Sequence, residues 1–404
     1  MKIKSLFIFI FSVVLLADFC HAQDDHWVGT WGNSPQLVER RNLPPPPGLT
    51  GNTLRQIVQV SIGGKKLRVR FSNAFGTEPV TMRSVHLALS AGGSAIQTDT
   101  DTALTFSGKP SVTIPAGKSV LSDPFDFDLA PLSDLAVTIN FGSTSAAVMG
   151  HPGSRTTSYV QAGDSVSAPD LPKASTTQHW YILTAIDVEA NPSSAAIVAL
   201  GDSITDGRGS GTDKNDRWPD DLARCLQANA KTSDIAVLNE GIGGNCVLHG
   251  GLGPTALSRF NRDVLDQSGV RWLIVFEGVN DIGGSRGTNS QVAQKLIAAY
   301  QKFIDQAHER NIRVYGATIT PFGGSFYDSA AHEAARQIVN DWIRTSGKFD
   351  AVIDFDAVIR DPQRPLHLLP AADSGDHLHP NERGYKMMAD AINLKLFENG
   401  NPRN

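Results

Sequence analysis

Two hydrophobic rhythms divide the chain. From Trp27 to about Val188, apolar side chains recur at every second position. Val58, Val60 and Ile62 alternate with polar residues, Gly63-Gly64 interrupts, and Leu67, Val69 and Phe71 resume the alternation. Side chains that change face at each residue mark a half-buried strand, and two such runs around a glycine pair predict a hairpin. Val85, Leu87 and Leu89 repeat the pattern, as do Phe125, Phe127 and Leu129, and then Leu135, Val137, Ile139 and Phe141. Turn residues separate these runs, at Gly92-Gly93, Gly108-Lys109-Pro110, Pro115-Ala116-Gly117 and Ser133-Asp134. The first part is therefore predicted to be an antiparallel β-sandwich.

Asn191-Pro192-Ser193-Ser194 reads as a junction, and the rhythm changes after it. Continuous apolar runs at 195–200, 235–238, 272–276, 312–317 and 351–353 alternate with helical periodicity. One helix starts near Thr288 to Ser290 and carries Val292, Leu296, Tyr300, Phe303 and Ala307 on one face. A second carries Ala331, Ala335, Ile338 and Trp342, and Pro219 suits the first turn of a third that ends near Ala228. Buried strands alternating with helices predict an α/β domain with a parallel sheet covered on both faces. Ligands of such sheets bind beyond the carboxyl ends of the strands, which directs the search for chemistry there.

The start of the chain follows neither rhythm. Lys2 and Lys4 precede the apolar run at 5–17, and Cys20-His21-Ala22 reads as a cleavage site. Residues 1–22 are expected to be a signal peptide, residues 23–192 the β-sandwich and residues 193–404 the α/β domain, in a secreted or periplasmic protein. No later stretch reaches 18 apolar residues, so no membrane insertion is expected. The net charge of −5 gives no electrostatic case for nucleic acid. Export would leave Cys225 and Cys246 in an oxidising compartment, either paired or as two buried thiols. Trp27, Trp31 and Trp180 fit core packing better than a sugar-stacking surface, and Pro44 to Pro47 suit an extended surface segment.

Polar clusters follow the strand ends. The first run ends in Gly201-Asp202-Ser203, the second in Asn239-Glu240-Gly241-Ile242-Gly243-Gly244, and the third in Gly278-Val279-Asn280-Asp281. Past the fifth comes Asp373-Ser374-Gly375-Asp376-His377-Leu378-His379. Singly each reads as an ordinary turn; together they supply the parts of acyl transfer. A serine hydroxyl needs a base to take its proton, an imidazole is such a base, a carboxylate orients it, and N–H donors meet the oxyanion. Two Asp/His pairs are available, Asp376/His379 and Asp373/His377. Asp202 and Asp206 read as hydrogen-bonding supports of the serine loop, and Arg217-Trp218 as a packed aromatic at a helix start. No metal-ligand spacing and no phosphate-binding loop are present, so no cofactor is expected.

In these four blocks the sequence resembles the SGNH hydrolases, or GDSL esterases, over residues 195 to 400. The whole layout resembles a secreted bacterial GDSL lipase/acylhydrolase. The resemblance implies a flavodoxin-like three-layer domain with five parallel strands. It implies Ser203 as nucleophile, His379 as base and Asp376 as its partner. It also implies an oxyanion hole from the Ser203 N–H, the Gly244 N–H (with Gly243 as the alternative) and the Asn280 side chain. The implied sheet order sets the first helix, with Cys225, beside the loop carrying Cys246, so their pairing is expected. The implied activity is ester hydrolysis on a small-molecule or polysaccharide ester, with short acyl groups on carbohydrate foremost. The alternatives are a lipase or lysophospholipase, and a polysaccharide-binding protein with a vestigial hydrolase domain.

Overall fold

The computed structural model describes residues 26–285 and 289–398; the expected signal peptide lies outside the described residues. The first part is β-rich and antiparallel. Its principal strands are β1 (Trp27–Gly32), β2 (Thr53–Gln59), β3 (Gly64–Ser72), β4 (Val80–Gly92), β5 (Phe125–Leu129), β6 (Asp134–Phe141), β7 (Ser158–Gln161) and β8 (Leu183–Glu189). One sheet runs β1-β8-β3-β5 and a second contains β7-β2-β6-β4. Short strands Gln36–Leu37, Met149–His151 and Trp180–Tyr181 form a third.

The predicted hairpin at Gly63-Gly64 does not form. β2 pairs with β6 and β7, whereas β3 pairs with β8 and β5, so residues 60–63 cross from one sheet to the other. The crossing is tied to both sides: Val60 N–H donates to Ser133 O and Ser61 N–H to Thr30 O. Gly63 lies so close to Leu129 O that a Cβ there would approach to 2.2 Å. Alternation assigned the faces of these strands correctly, but a face does not name a partner.

The second part contains β9 (Ala195–Gly201), β10 (Ile235–Gly241), β11 (Val270–Phe276), β12 (Arg313–Ala317) and β13 (Ala351–Ile353) in one parallel sheet of order β10-β9-β11-β12-β13. Around it lie α1 (Ser203–Asp206), α2 (Trp218–Gln227), α3 (Ala256–Phe260), α4 (Val279–Gly283), α5 (Asn289–Glu309), α6 (Ala330–Thr345), α7 (Phe355–Ile359) and α8 (Glu382–Asp390). Strand order reverses at β9: the crossover to β10 runs one way and those to β11, β12 and β13 the other. Right-handed crossovers therefore put α2 on one face and α3, α5 and α6 on the other. Packing agrees, since α2 meets α8 while α5 meets α6 and α3. The face of α5 read from the sequence is buried at Val292, Leu296, Tyr300, Phe303 and Ala307.

The two parts share one continuous apolar core. β1 packs on β10, where Gly29 leaves room for the Leu238 side chain, and Gly29 N–H donates to Ser268 O. The Ser61 hydroxyl accepts from Val237 N–H at 3.1 Å. Trp31 and Trp180 are buried edge to face, and the Arg68 guanidinium covers Trp27, so these three rings build no stacking platform. The expected Cys225–Cys246 disulfide is absent and both thiols are free. Cys225 on α2 faces α8, with Asp390 Oδ1 at 3.6 Å, whereas Cys246 is buried against the turn at Gly251.

Candidate active site

Register brings the motif loops side by side. Gly201 at the end of β9 pairs with Gly241 of β10 and with Phe276 of β11, so the three strand ends lie level. Beyond Gly201 the chain turns at once into α1. Asp202 caps that helix by accepting from Ile204 N–H at 2.9 Å, which leaves Ser203 as its first residue. The turn is close-packed, since a Cβ at Gly201 would meet Thr205 Oγ1 and one at Gly241 would meet Asp206 N.

Ser203 Oγ lies 2.8 Å from His379 Nε2, and the other ring nitrogen, Nδ1, lies 2.7 Å from Asp376 Oδ2. Backbone N–H groups of Leu378 and His379 donate to Asp376 Oδ1, so the carboxylate is held by the same turn that carries the imidazole. Burial works against the Asp376 charge, but these hydrogen bonds and the His379 ring outweigh it and bring its pKa down to about 2. The rival pair does form, with His377 Nδ1 2.6 Å from Asp373 Oδ2. It is turned outward, the His377 side chain being 52% exposed, and the partner of the Ser203 hydroxyl is His379.

The His379 pKa lies below the ordinary imidazole value. Burial is the main cause; Asp376 pulls the other way, and the Arg208 and Arg155 guanidiniums add to the lowering. The sequence alone suggests a value near or above 6.5, because it shows the carboxylate but neither the burial nor the arginines. The neutral ring is thus favoured, with Nδ1–H directed to Asp376 and the Nε2 lone pair to the serine.

Asn280 opens α4. Its Nδ2 donates to Asn245 O at 2.8 Å and its Oδ1 accepts from the Tyr327 hydroxyl at 3.0 Å. A carbonyl can only accept, so these bonds fix which end of the amide is which and leave one Nδ2 proton over. Gly244 adopts φ +70 inside a turn closed by Asn245 N–H to Ile242 O, a conformation that favours glycine. Ser203, His379, Asn280, Gly243 and Gly244 line one open cleft of about 300 Å³.

The β-rich part completes this cleft with Gln36, Glu39, Arg41, Asn42, Pro152, Gly153 and Arg155. Behind that lining, His151 of the same part reaches the serine helix. That ring is 3.0 Å from Ser34 O through Nδ1 and 2.9 Å from Asp206 Oδ1 through Nε2, and it stacks on Trp180. Asp206 therefore supports the serine helix through a residue of the first part. Beneath the strand ends, buried Arg259 donates to Gly201 O, Glu240 O and the Ser34 hydroxyl. Burial dominates the acids around it: Asp202 is pushed up to about 7, and Glu240 and Glu277 well above the carboxylate range. Neither His151 nor Arg259 is visible as a site residue in the sequence. Each lies more than 50 positions from Ser203, in no motif, and only the tertiary fold brings it close. Arg217-Trp218 behaves as read: Trp218 is fully buried against Phe355, and Arg217 joins Asp220 at the start of α2.

Residues 199–387 match the profile of the GDSL-like Lipase/Acylhydrolase family, a little under half of the chain. No curated protein matches. Solved structures do. A member of the lipolytic protein G-D-S-L family from Veillonella parvula is 20% identical, with 51% of this chain and 100% of that one covered at a TM-score of 0.36. The aryl esterase of M. smegmatis is 15% identical over 50% and 99%, at 0.40. A catalytic mutant of an acetylxylan esterase from Geobacillus stearothermophilus is 20% identical over 50% and 93%, at 0.38. The C-terminal part thus matches the GDSL-like lipase/acylhydrolase family over residues 199–387. By class the protein is a carboxylic ester hydrolase.

Proposed function

We propose that the protein hydrolyses short acyl esters, acetyl foremost, of a carbohydrate alcohol through an acyl-enzyme on Ser203. The observation that carries this reading is the unbroken chain from Ser203 Oγ through His379 to Asp376. His379 Nε2 takes the hydroxyl proton as Oγ attacks the carbonyl carbon. The carbonyl π pair moves to oxygen, and the oxyanion meets the N–H groups of Ser203 and Gly244 and the remaining Nδ2 proton of Asn280. On collapse, His379 returns its proton to the departing alkoxide. Water then repeats the sequence on the acyl-serine and releases the acid. Asp376 holds the ring and offsets its transient charge.

Gln36, Asn42, Arg41, Arg155 and Arg208 at the cleft support a polyhydroxyl alcohol, while Leu252, Phe326 and Leu378 give the same cleft an apolar side. Export belongs to the same reading and rests on residues 1–22; a natural N-terminus at Gln23 is its check. The catalytic reading is tested with p-nitrophenyl esters from acetyl to palmitoyl alongside acetylated glycans. Acetyl esters should give the highest kcat/KM, and a maximum at long chains would favour a lipase. Ser203→Ala should lose nearly all turnover with its thermal midpoint nearly unchanged. A variant that keeps a tenth of wild-type kcat would refute the assignment. Asn280→Ala should lose about 100-fold in kcat with much less change in KM, because its proton acts mainly on the transition state.

A further inference from the structure

Three arginines stand around the acid–base side of the cleft, and the mechanism uses none of them. Arg155, from the β-rich part, has a left-handed backbone at φ +54, which is uncommon for a non-glycine residue. Its carbonyl accepts from Asp213 N–H, and Asp213 in turn accepts from the N–H and hydroxyl of Thr157, so the loop is pinned in that shape. Its Nε is buried and has no hydrogen-bond partner among the described residues, and its nearest acid, Asp206 Oδ2, stands 3.8 Å from Nη2. Arg208 is held from beneath: its N–H donates to Ser203 O, and its carbonyl accepts from the Tyr385 hydroxyl. The Arg208 side chain reaches out, 62% exposed, no closer than 3.8 Å to Asp376 Oδ2. Arg41 is exposed at the same mouth.

The acids nearby have closer partners of their own. Glu39 is bonded to the amides of Gln36 and Asn42, Asp376 to His379, and Asp206 to His151 through Oδ1, while Asp206 Oδ2 has no hydrogen-bond partner among the described residues. Arg155 and Arg208 are thus held by their backbones with only a long, 3.8 Å approach to a carboxylate each, and guanidinium donors suit carboxylate or phosphate oxygens. Their place also says which part of an ester they meet. Asn280 and Gly244 take the carbonyl oxygen, and the departing oxygen must lie at His379 Nε2, on the side where Arg155 and Arg208 stand.

We propose that Arg155 and Arg208, with Arg41 at the mouth, form an anion subsite for the alcohol portion, so that the preferred substrates are acyl esters of an acidic sugar. This rests on the ester-hydrolase reading, and its test can be run without turnover. Calorimetry on the Ser203→Ala protein would compare acetylated methyl glucoside with acetylated methyl glucuronoside and acetylated methyl glucoside 6-phosphate. At least one anionic ligand should bind ten-fold or more tighter than the neutral one, and the gain should shrink as salt is raised. The two anionic arms separate a carboxylate from a phosphate subsite. Arg208→Gln, at a side chain 62% exposed, should keep the thermal midpoint and remove several-fold of the preference, and adding Arg155→Gln should bring the ratio near one. Equal binding of all three ligands, or a preference untouched by both substitutions, would overturn the subsite. Failure of the wild-type protein to hydrolyse any of the esters would instead sink the catalytic reading.

Discussion

His379 is a base whose surroundings discourage its own charging. Burial and two guanidiniums hold its pKa below the ordinary value of about 6.5, and the neutral ring is the active form. Activity should therefore stay on its plateau at neutral pH and fall only as pH drops through a value below about 6.5. A pH–rate profile whose acidic limb centres above 7 would contradict this. Arg208→Gln removes one positive neighbour and should move that limb upward. His377→Ala should leave the profile in place, whereas His379→Ala should abolish activity and Asp376→Asn should damage it severely. An inactive His377→Ala with an active His379→Ala would hand the role to the Asp373/His377 pair. At this scale the sequence was most informative where function is local. Asp376 and His379 are three apart on one turn and do meet, but spacing left the Asp373/His377 pair equally open and only the family resemblance chose between them. The arginines that tune the same ring come from positions 155 and 208, and no spacing rule joins them to it.

The junction between β9 and α1 concentrates the strain of burying polar groups. Asp202 caps the helix from inside the protein, with Asp281 and Asp206 nearby, and its pKa rises to about 7. A carboxyl raised in the folded state binds a proton there that the unfolded chain has released. Its stabilising contribution is therefore complete below the unfolded value of about 3.9 and declines as pH rises towards 7. Glu240 and Glu277 act in the same direction. Thermal midpoints should fall between roughly pH 4 and 7 from this source, and Asp202→Asn should flatten the slope; an unchanged slope would show that the charge is not suppressed. Elements themselves were readable where burial leaves a periodic trace, as in α5 and the five parallel strands. Partners were not. The β2–β3 crossing looks like a hairpin because both strands alternate, and Cys225 looks available to Cys246 until α8 is seen to face it.

Over the whole molecule the boundary near residue 192 is a change of rhythm and not a gap in packing. Val28, Trp31, Leu238 and Ile197 belong to one apolar core, and the Arg259 side chain joins Ser34 to the ends of β9 and β10. The chain should consequently unfold in a single calorimetric transition, and a fragment of residues 193–404 should fail to fold stably or to hydrolyse esters. Two resolved transitions, or an active fragment, would show that the parts are independent. Composition and periodicity could not reveal this, because a strand covered by its own sheet and one covered by another part of the chain carry the same apolar residues.

The bond from Gly29 N–H to Ser268 O spans more than two hundred residues of sequence. On the ribosome, β1 would leave the exit tunnel long before the strands that cover it. At roughly 5–20 residues per second, the wait is on the order of tens of seconds. During that time Val28 and Trp31 lack their covering surface, and an exposed strand of this kind can pair with another chain. The first part of this protein is thus complete as a set of strands well before it can be complete as a fold, and holding it apart from its neighbours is work for whatever meets the growing chain.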